Sequence, residues 1–189
     1  EPVFPFTIDQ LTLPDGCVAI LYYENGLRLA VEQGSRVRYG IMLGNERAGS
    51  LSLAPNGILL AMAGEPKLTD ADLPEGYGST LVALDASYRE LIHVTGDGVG
   101  AQGDIISSFS RLPTLLCHDR KRVFQFTGGQ YELKSSTLGF FTHTPEQPKP
   151  GQEMIRAFCE AVQLSQWEEA FSYLTPALRE GLDEDVIRD

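Results

Sequence analysis

The sequence has few cysteines, no long apolar run and fewer basic than acidic residues. Its three cysteines, Cys17, Cys117 and Cys159, form no CxxC pair, so neither a disulfide framework nor a zinc knuckle is indicated. Cys17 and Cys117 lie in predicted strands and could pair if those strands are neighbours, although buried free thiols are the commoner outcome. No apolar segment is long enough to span a bilayer as a helix, so we predict no transmembrane segment.

The shortage of basic residues bears on the partner. Fifteen Lys and Arg against 26 Asp and Glu give a formal net charge of -11. Binding to nucleic acid or to an anionic membrane surface depends on clustered Lys and Arg, so neither is expected as the main partner. The first residues, Glu-Pro-Val-Phe, include no initiator methionine. We therefore expect an export signal to have been removed, and an extracytoplasmic location.

What the chain has in abundance is short apolar runs separated by turn residues. Asn25-Gly26, which tolerates positive φ, separates Cys17–Tyr23 from Leu27–Glu32 and predicts a β-hairpin. Further predicted strand pairs are Ser50–Leu53 with Ile58–Met62, Thr80–Leu84 with Glu90–Val94, and Thr114–Cys117 with Arg122–Phe126. The pattern predicts a mainly β fold over residues 1–143, as an antiparallel β-sandwich, with a propeller-like module as the alternative.

A proline-rich joint at residues 144–151 ends this pattern. Proline fixes φ and lacks an amide donor, so the segment predicts a semi-rigid, extended linker between two modules. After it, apolar Ile155, Phe158 and Val162 fall on one face of a helix. We therefore predict a small helical segment over residues 152–189.

Two further helix starts are indicated in this segment. Ser165-Gln-Trp-Glu168 is a capping-box pattern, in which Ser165 would cap the helix and Glu168 would reach back to the Ser165 amide. Thr175-Pro176 is a second start, with Thr175 at the N-cap and proline at the first helical position. The aromatic stripe of Phe158, Trp167 and Phe171 is expected to pack as core.

The helical segment resembles the opening helices of the NTF2-like (SnoaL-like) superfamily. The residues that carry the resemblance are Ser165, Trp167, Glu168, Ala170 and Leu174-Thr175-Pro176, over about 40 residues. The curved sheet that bears the catalytic groups of that family would follow Asp189. The resemblance therefore transfers no catalytic residue: either the sequence stops inside such a domain, or these helices pack on the β module.

The β module has a second, looser resemblance. Ser50–Ala63 with Thr80–Thr95, and Pro113–Leu133, are similar to blades of bacterial β-propeller or β-sandwich surface modules, in which strands end in Pro-Asn-Gly or Gly-Gly-Gln-Tyr. No fixed period runs through the module, and about 145 residues is short for a closed ring of four-stranded blades. A propeller fragment therefore stays the alternative to a sandwich.

A glycine motif invites a nucleotide-binding interpretation. Gly98, Gly100 and Gly103 satisfy GxGxxG after a predicted strand, and Asp119 could serve as the acid that binds a ribose. However, the helix that the fingerprint requires would occupy residues 104–111, a stretch of mediocre helix formers. We therefore favour a β-loop and predict no bound cofactor.

Candidate metal and catalytic groups are few. Asp97 and Asp104 flank the glycine motif and could bind calcium, but two carboxylates are too few ligands, so no metal site is predicted. His93, His118 and His143 are expected to be packing or surface residues. A triad such as Ser107 with His93 stays open, although no G-x-S-x-G elbow is present.

These observations favour binding over catalysis. The leading hypothesis is a non-catalytic bacterial protein, secreted or lipid-anchored at the cell surface, whose β module recognises a protein, a glycan or a small molecule. The alternatives are a secreted hydrolase that uses scattered Ser, His and Asp residues, and a nucleotide-binding enzyme that uses the Gly98–Gly103 segment. A deep pocket with convergent titratable groups would favour an enzyme.

Overall fold

The computed structural model describes residues 6–64, 78–111, 118–141 and 148–180. Within these ranges the fold is mainly β, followed by short helices. The strands are β1 (Thr7–Thr12), β2 (Val18–Tyr23), β3 (Leu27–Gln33), β4 (Arg36–Gly44), β5 (Gly49–Leu53), β6 (Leu59–Ala63), β7 (Gly78–Leu84), β8 (Glu90–Gln102), β9 (Ile105–Arg111), β10 (Asp119–Thr127) and β11 (Gln130–Gly139). The helices are α1 (Gln152–Gln163), α2 (Trp167–Ser172) and α3 (Pro176–Arg179). The predicted fold class is confirmed.

Two sheets follow the order of the chain. Strands β1 to β4 form a four-stranded sheet, and β5 to β11 form a seven-stranded sheet in which each strand lies beside its neighbour in sequence. Pairing is antiparallel from β1 to β4 and from β5 to β9. Such meanders need only short turns between strands, which matches the frequent Gly, Asn and Pro residues.

The turn signals predicted the hairpins correctly. Asn25 and Gly26 both have positive φ, 55° and 136°, and join β2 to β3. The predicted pairs β5–β6 and β7–β8 form as well. The predicted strand 114–117 lies outside the described residues.

One hydrophobic core lies between the two sheets. Leu21 and Leu29 from the four-stranded sheet share a fully buried cluster with Leu59, Val82 and Leu84 from the seven-stranded sheet. Burying a Leu or Val side chain contributes about 1.5–3 kcal/mol each, so this layer is a main source of stability. The sheets therefore pack face to face as a sandwich.

A second core covers the other face of β6 and β7. Leu60, Leu81 and Ala83 pack with Val99 of β8 and Ile106 of β9. Because side chains alternate along a strand, β6 and β7 each contribute alternate residues to the two cores: Leu59 and Val82 lie in the first core, whereas Leu60 and Leu81 lie in the second. These two strands have no solvent-facing side, which explains their nearly continuous apolar sequences.

The glycine segment is part of a strand, so the predicted loop is wrong. β8 runs for 13 residues through Gly98 and Gly100, and its pairing with β7 shifts register between Thr80 and Gly78. A Cβ at Gly96 would lie 2.5 Å from the carbonyl oxygen of Phe109. Glycine permits this close approach of β8 to β9, at the point where the ladder with β7 is interrupted.

The chain divides into two compact units. One comprises Glu1–Ser110 and Lys121–Thr137, and the other comprises Arg111–Arg120 and Leu138–Asp189. Residues 144–147 of the predicted linker 144–151 lie outside the described residues, and the predicted domain bounds stay a prediction. Helix α1 forms where predicted.

Two details of the helical segment differ from prediction. Ser165 has φ +57° and follows the end of α1, where its amide and that of Gln166 bond to the carbonyls of Val162 and Ala161. This is a Schellman arrangement, so the predicted capping box is wrong: Ser165 terminates one helix and Gln166 precedes the next. Ile155, on the predicted apolar face, is 64% exposed, and the buried residues of α1 are Ala157, Glu160 and Ala161.

Other features bear on the predicted chemistry. Cys17 is a buried free thiol and Cys159 an exposed one, whereas Cys117 lies outside the described residues.

The predicted Thr175-Pro176 helix start is confirmed at α3. None of the helices described is both long and apolar enough to cross a membrane.

Candidate functional site

A small pocket lies at one end of the sandwich, where three turns meet. The turns connect β1 to β2, β5 to β6 and β7 to β8. The pocket has a volume of about 130 Å³. Its lining residues are Leu13, Pro14, Asp15, Leu53, Gly57, Leu59, Asp85, Ala86 and Tyr88. The walls are therefore mainly apolar, with two carboxylates and one phenol.

The β1–β2 turn fixes Asp15 by local hydrogen bonds. The amide of Gly16, at φ +82°, donates to the carbonyl of Leu13 at 3.0 Å, and the amide of Leu13 donates to the carbonyl of Cys17 at 2.8 Å. The Cys17 amide also donates to Asp15 Oδ1 at 3.0 Å. Pro14-Asp15-Gly16 is a composition typical of such a turn, because proline presets φ and glycine supplies the left-handed position.

The β7–β8 turn is held by Asp85. Its Oδ1 accepts the amides of Ser87 and Arg89, both at 2.9 Å, and its Oδ2 lies 3.1 Å from Arg89 Nε. Partial burial raises the pKa of Asp85, but these bonds and the guanidinium charge outweigh it, so the net pKa is lowered. Asp85 therefore stays ionised above mildly acidic pH.

Tyr88 occupies a strained position in this turn. Its φ is +64°, in the left-handed region that non-glycine residues rarely adopt. Such a conformation costs about 1–3 kcal/mol and persists where the surroundings impose it. We therefore expect the tyrosine side chain to make a stabilising contact that glycine or asparagine could not make.

That contribution is a hydrogen bond to Asp15. Tyr88 Oη donates to Asp15 Oδ2 at 2.5 Å and joins two turns that are 73 positions apart in the chain. The Tyr88 bond and the Cys17 amide lower the pKa of Asp15. Burial, together with the Asp15 charge, raises the pKa of Tyr88. The phenol thus keeps its proton and the carboxylate stays charged.

A second cluster, in the other compact unit, surrounds His118. His118 Nδ1 lies 2.5 Å from Glu160 Oε1 of α1, and Nε2 lies 2.8 Å from Glu169 Oε2 of α2. The His118 amide also donates to Glu160 Oε1 at 3.1 Å, and Tyr173 Oη donates to Glu169 Oε1 at 2.6 Å. The imidazole further packs against Phe140, with ring centroids 4.7 Å apart.

This arrangement favours a structural role for His118 over a catalytic one. His118 is 1% exposed and both of its ring nitrogens contact carboxylates, so neither is available to a substrate. An ionised carboxylate only accepts hydrogen bonds, and a neutral imidazole has a single N–H to donate. Both contacts of His118 are therefore hydrogen bonds only when one further proton is bound to the imidazole or to one of the two carboxyl groups. Throughout the described part of the chain, no group of three or more His, Cys, Asp or Glu residues is placed to hold a metal ion.

The residues of the glycine motif do not have the strand–turn–helix geometry of the dinucleotide fingerprint. Gly98 and Gly100 pair with Phe109 and Ser107 of β9, and Gly103 lies in the tight turn that follows β8, at φ +57°. The segment after the motif is strand β9, where the fingerprint needs a helix. Asp119 is buried at the start of β10 and accepts the amide of Phe141 at 3.2 Å.

The predicted metal and catalytic candidates are also separated. Asp97 lies within β8 and Asp104 in the turn beyond it, roughly 20 Å further along the strand. Asp104 accepts a hydrogen bond from Asn56 Nδ2 at 2.9 Å. Ser107 pairs with Gly100, whereas His93 is exposed and pairs with Val82. His143 lies outside the described residues.

Sequence reasoning missed the residues that the structure brings together. Asp15 lies in the β1–β2 turn, and Asp85 and Tyr88 lie in the β7–β8 turn. The one local signal available was Pro14-Asp15-Gly16, which indicates a turn but no contact with Tyr88. His118 and Glu160 are 42 positions apart, and Glu160 interrupts an apolar helix face. That interruption was the available sign of a buried partner, because an unpaired charge on such a face is costly.

No protein-family model matches this chain, and no curated protein is significantly similar to it. The resemblances to NTF2-like helices and to propeller blades therefore stay predictions.

Proposed function

We propose that this protein is a non-catalytic binding module whose ligand occupies the turn pocket. The observation that carries the proposal is the construction of the pocket, in which Asp15, Asp85 and Tyr88 are each fixed by hydrogen bonds around an apolar floor. Small-ligand sites are typically preformed, concave and apolar, with a few well-placed polar groups. A site built in this way loses little conformational entropy on binding.

The protonation states of the pocket support binding over catalysis. The pKa values of Asp15 and Asp85 are lowered and that of Tyr88 is raised, so none of the three exchanges a proton near neutral pH. General acid–base catalysis is most effective when the pKa lies near the working pH. The lining residues also include no Ser, Cys, Lys or His that could act as a nucleophile.

An NMR titration tests the proposal. Four small probes cover the ligand classes: n-butanol, n-butylamine, butyrate and methyl β-glucoside. We expect at least one of them to shift the amide signals of Cys17, Ala86 and Tyr88 in a saturable manner. The variant Ala86→Trp places a large ring at the pocket and should abolish the shifts.

The matched control is Lys134→Trp, which adds the same side chain at an exposed position of β11. It should bind like the wild type. If no probe shifts the pocket amides, or if Ala86→Trp binds as well as Lys134→Trp, the pocket is not a binding site and the proposal is wrong.

A further inference from the structure

We propose that the ligand of the turn pocket is an alkylammonium group, that is, a protonated primary amine on an aliphatic chain of about four carbons. This inference rests on the proposed function, because it assigns the chemical class that the same pocket accepts.

The first argument is the inventory of donors and acceptors. Asp15 and Asp85 are carboxylates, which only accept hydrogen bonds. Tyr88 has one hydroxyl proton, and it is already donated to Asp15. The remaining lining residues have apolar side chains or none. The side chains of the pocket therefore offer acceptors and no free donor, so a polar group of the ligand that contacts them must be a donor.

The second argument is charge. Asp85 lies 3.1 Å from the Arg89 guanidinium, whereas no ion pair to Asp15 is found in the described ranges. The Arg89 side chain is 74% exposed and does not line the pocket. The two lining carboxylates are thus compensated by one cation, in a chain whose net charge is -11. The potential at the pocket favours a cation and opposes an anion.

The third argument is size and shape. A volume of about 130 Å³ is slightly below the roughly 150 Å³ of a cavity that holds benzene. Leu13, Leu53 and Leu59 supply apolar surface for a chain of a few methylenes. A carbohydrate, with hydroxyls around its whole ring, would leave several of them against these leucines without hydrogen bonds.

An ammonium fits the carboxylate better than a guanidinium does. A guanidinium binds a carboxylate most strongly through two parallel bonds, one to each oxygen. Asp15 Oδ1 already accepts the Cys17 amide and Oδ2 the Tyr88 hydroxyl. An ammonium is a compact charge that needs one lone pair at a time, and it can share Asp15 with the Tyr88 oxygen.

A titration with matched probes tests the ligand class. n-Butylamine, n-butanol and butyrate have similar chains and differ in charge. We expect n-butylamine to bind at least about tenfold more tightly than n-butanol, because hydrogen bonds to charged groups are the stronger ones. Butyrate should bind more weakly than n-butanol.

Variants identify the group that recognises the charge. Asp15→Asn keeps the shape of the side chain and should weaken n-butylamine binding about tenfold, with n-butanol unchanged. Tyr88→Phe frees Asp15 Oδ2 and provides a second variant if Asp15→Asn alters the turn. It should retain binding of n-butylamine, since Asp15 keeps its charge. Glu132→Gln removes one negative charge from β11 and is the control for overall charge.

The outcomes separate this inference from the proposed function. If n-butanol binds the pocket as tightly as n-butylamine, or if Asp15→Asn has no effect, the pocket binds ligands but the alkylammonium class is wrong. If no probe binds, both proposals fail. Nα-acetyl-lysine methylamide and 1,4-diaminobutane distinguish a lysine side chain from a free diamine, and stronger binding of either supports the class.

Discussion

His118 Nδ1 and Glu160 Oε1 lie 2.5 Å apart between side chains that are 1% and 7% exposed. The contact joins the start of β10 to α1 inside one compact unit. Polar side chains at this depth need hydrogen-bond partners, because a buried polar group without one is costly.

Removal of one partner should therefore be severe. We expect His118→Ala to lower the free energy of unfolding by about 3 kcal/mol, since the buried Glu160 would lose its contact with the imidazole and would still accept the backbone amide of residue 118. Denaturant titration followed by circular dichroism measures the change.

The double variant His118→Leu/Glu160→Leu is the control. Replacing both partners with apolar side chains avoids the unpaired charge, and it should recover most of the loss. If the double variant is no more stable than His118→Ala, packing of the imidazole against Phe140 would be the more important contact.

The bond between Tyr88 and Asp15 predicts the acid response of the pocket. The Tyr88 hydroxyl is the largest cause of the lowered Asp15 pKa. A lowered pKa means that the ionised form favours the fold, so this contribution is present above the usual value of 3.8 and is lost as the pH falls through the folded-state pKa.

In Tyr88→Phe we expect the Asp15 pKa to rise toward 3.8 and the dependence of stability on acid pH to weaken. Carbon-detected NMR of the Asp15 carboxyl measures the pKa. Some lowering should remain in the variant, because the Cys17 amide still donates to Oδ1. An unchanged Asp15 pKa would contradict the geometry of this pair.

Tyr39 provides an alkaline test. Burial is the main cause that raises its pKa to about 12, and the hydrogen bond from its hydroxyl to Glu90, 3.1 Å long, adds to it. The protonated phenol favours the fold, so the contribution is complete below pH 10.0 and disappears as the pH rises toward about 12.

In an ultraviolet titration, Tyr39→Phe should remove a late-titrating phenol. Glu90→Gln should lower the Tyr39 pKa only part of the way, since burial remains the larger cause. A Tyr39 that titrates near the ordinary value of 10.0 in the wild type would be inconsistent with its contact to Glu90.

Substitutions of Ser165 distinguish a residue that ends α1 from one that caps the start of α2, because the two roles predict different changes in stability. A left-handed non-glycine residue costs about 1–2 kcal/mol, and the freer unfolded chain of a glycine costs about 0.4–1 kcal/mol. At φ +57° after α1, Ser165→Gly should therefore stabilise the protein by up to about 1 kcal/mol. Ser165→Ala should change stability little, because the serine side chain makes no cap hydrogen bond to α2.

An N-terminal cap at Ser165 would give another pattern. In that case Ser165→Ala would lose about 1 kcal/mol and Ser165→Gly a few tenths. Thermal unfolding of the two variants, compared with the wild type, distinguishes the roles directly.

The sequence was sufficient for most of the β architecture because its signals are local. Asn25-Gly26 and Pro55-Asn56-Gly57 specify turns by their own φ preferences, and the flanking apolar runs specify the strands. A helix cap was misassigned where a residue ends the preceding helix and does not begin the next one. Ser165 matched an N-cap pattern, yet its left-handed φ completes the end of α1.

The pocket and the His118 cluster could not be predicted in the same way. Asp15 and Tyr88 meet only because the sandwich brings the β1–β2 and β7–β8 turns to one end. The glycines of β8 were misassigned for a related reason: their function is a close approach between strands, and that approach depends on long-range pairing that no local pattern specifies.

Strands β6 and β7 are buried on both faces, so positions in these strands should tolerate fewer substitutions than positions at the pocket rim. A polar side chain at Leu60, Ala61 or Leu81 would be buried in one of the two hydrophobic cores. At the pocket rim, Pro14 and Ala86 are exposed and can be exchanged without disturbing either layer. We therefore expect selectivity to be retuned from the rim while the interior holds its shape, which makes the protein a suitable frame for engineering new recognition.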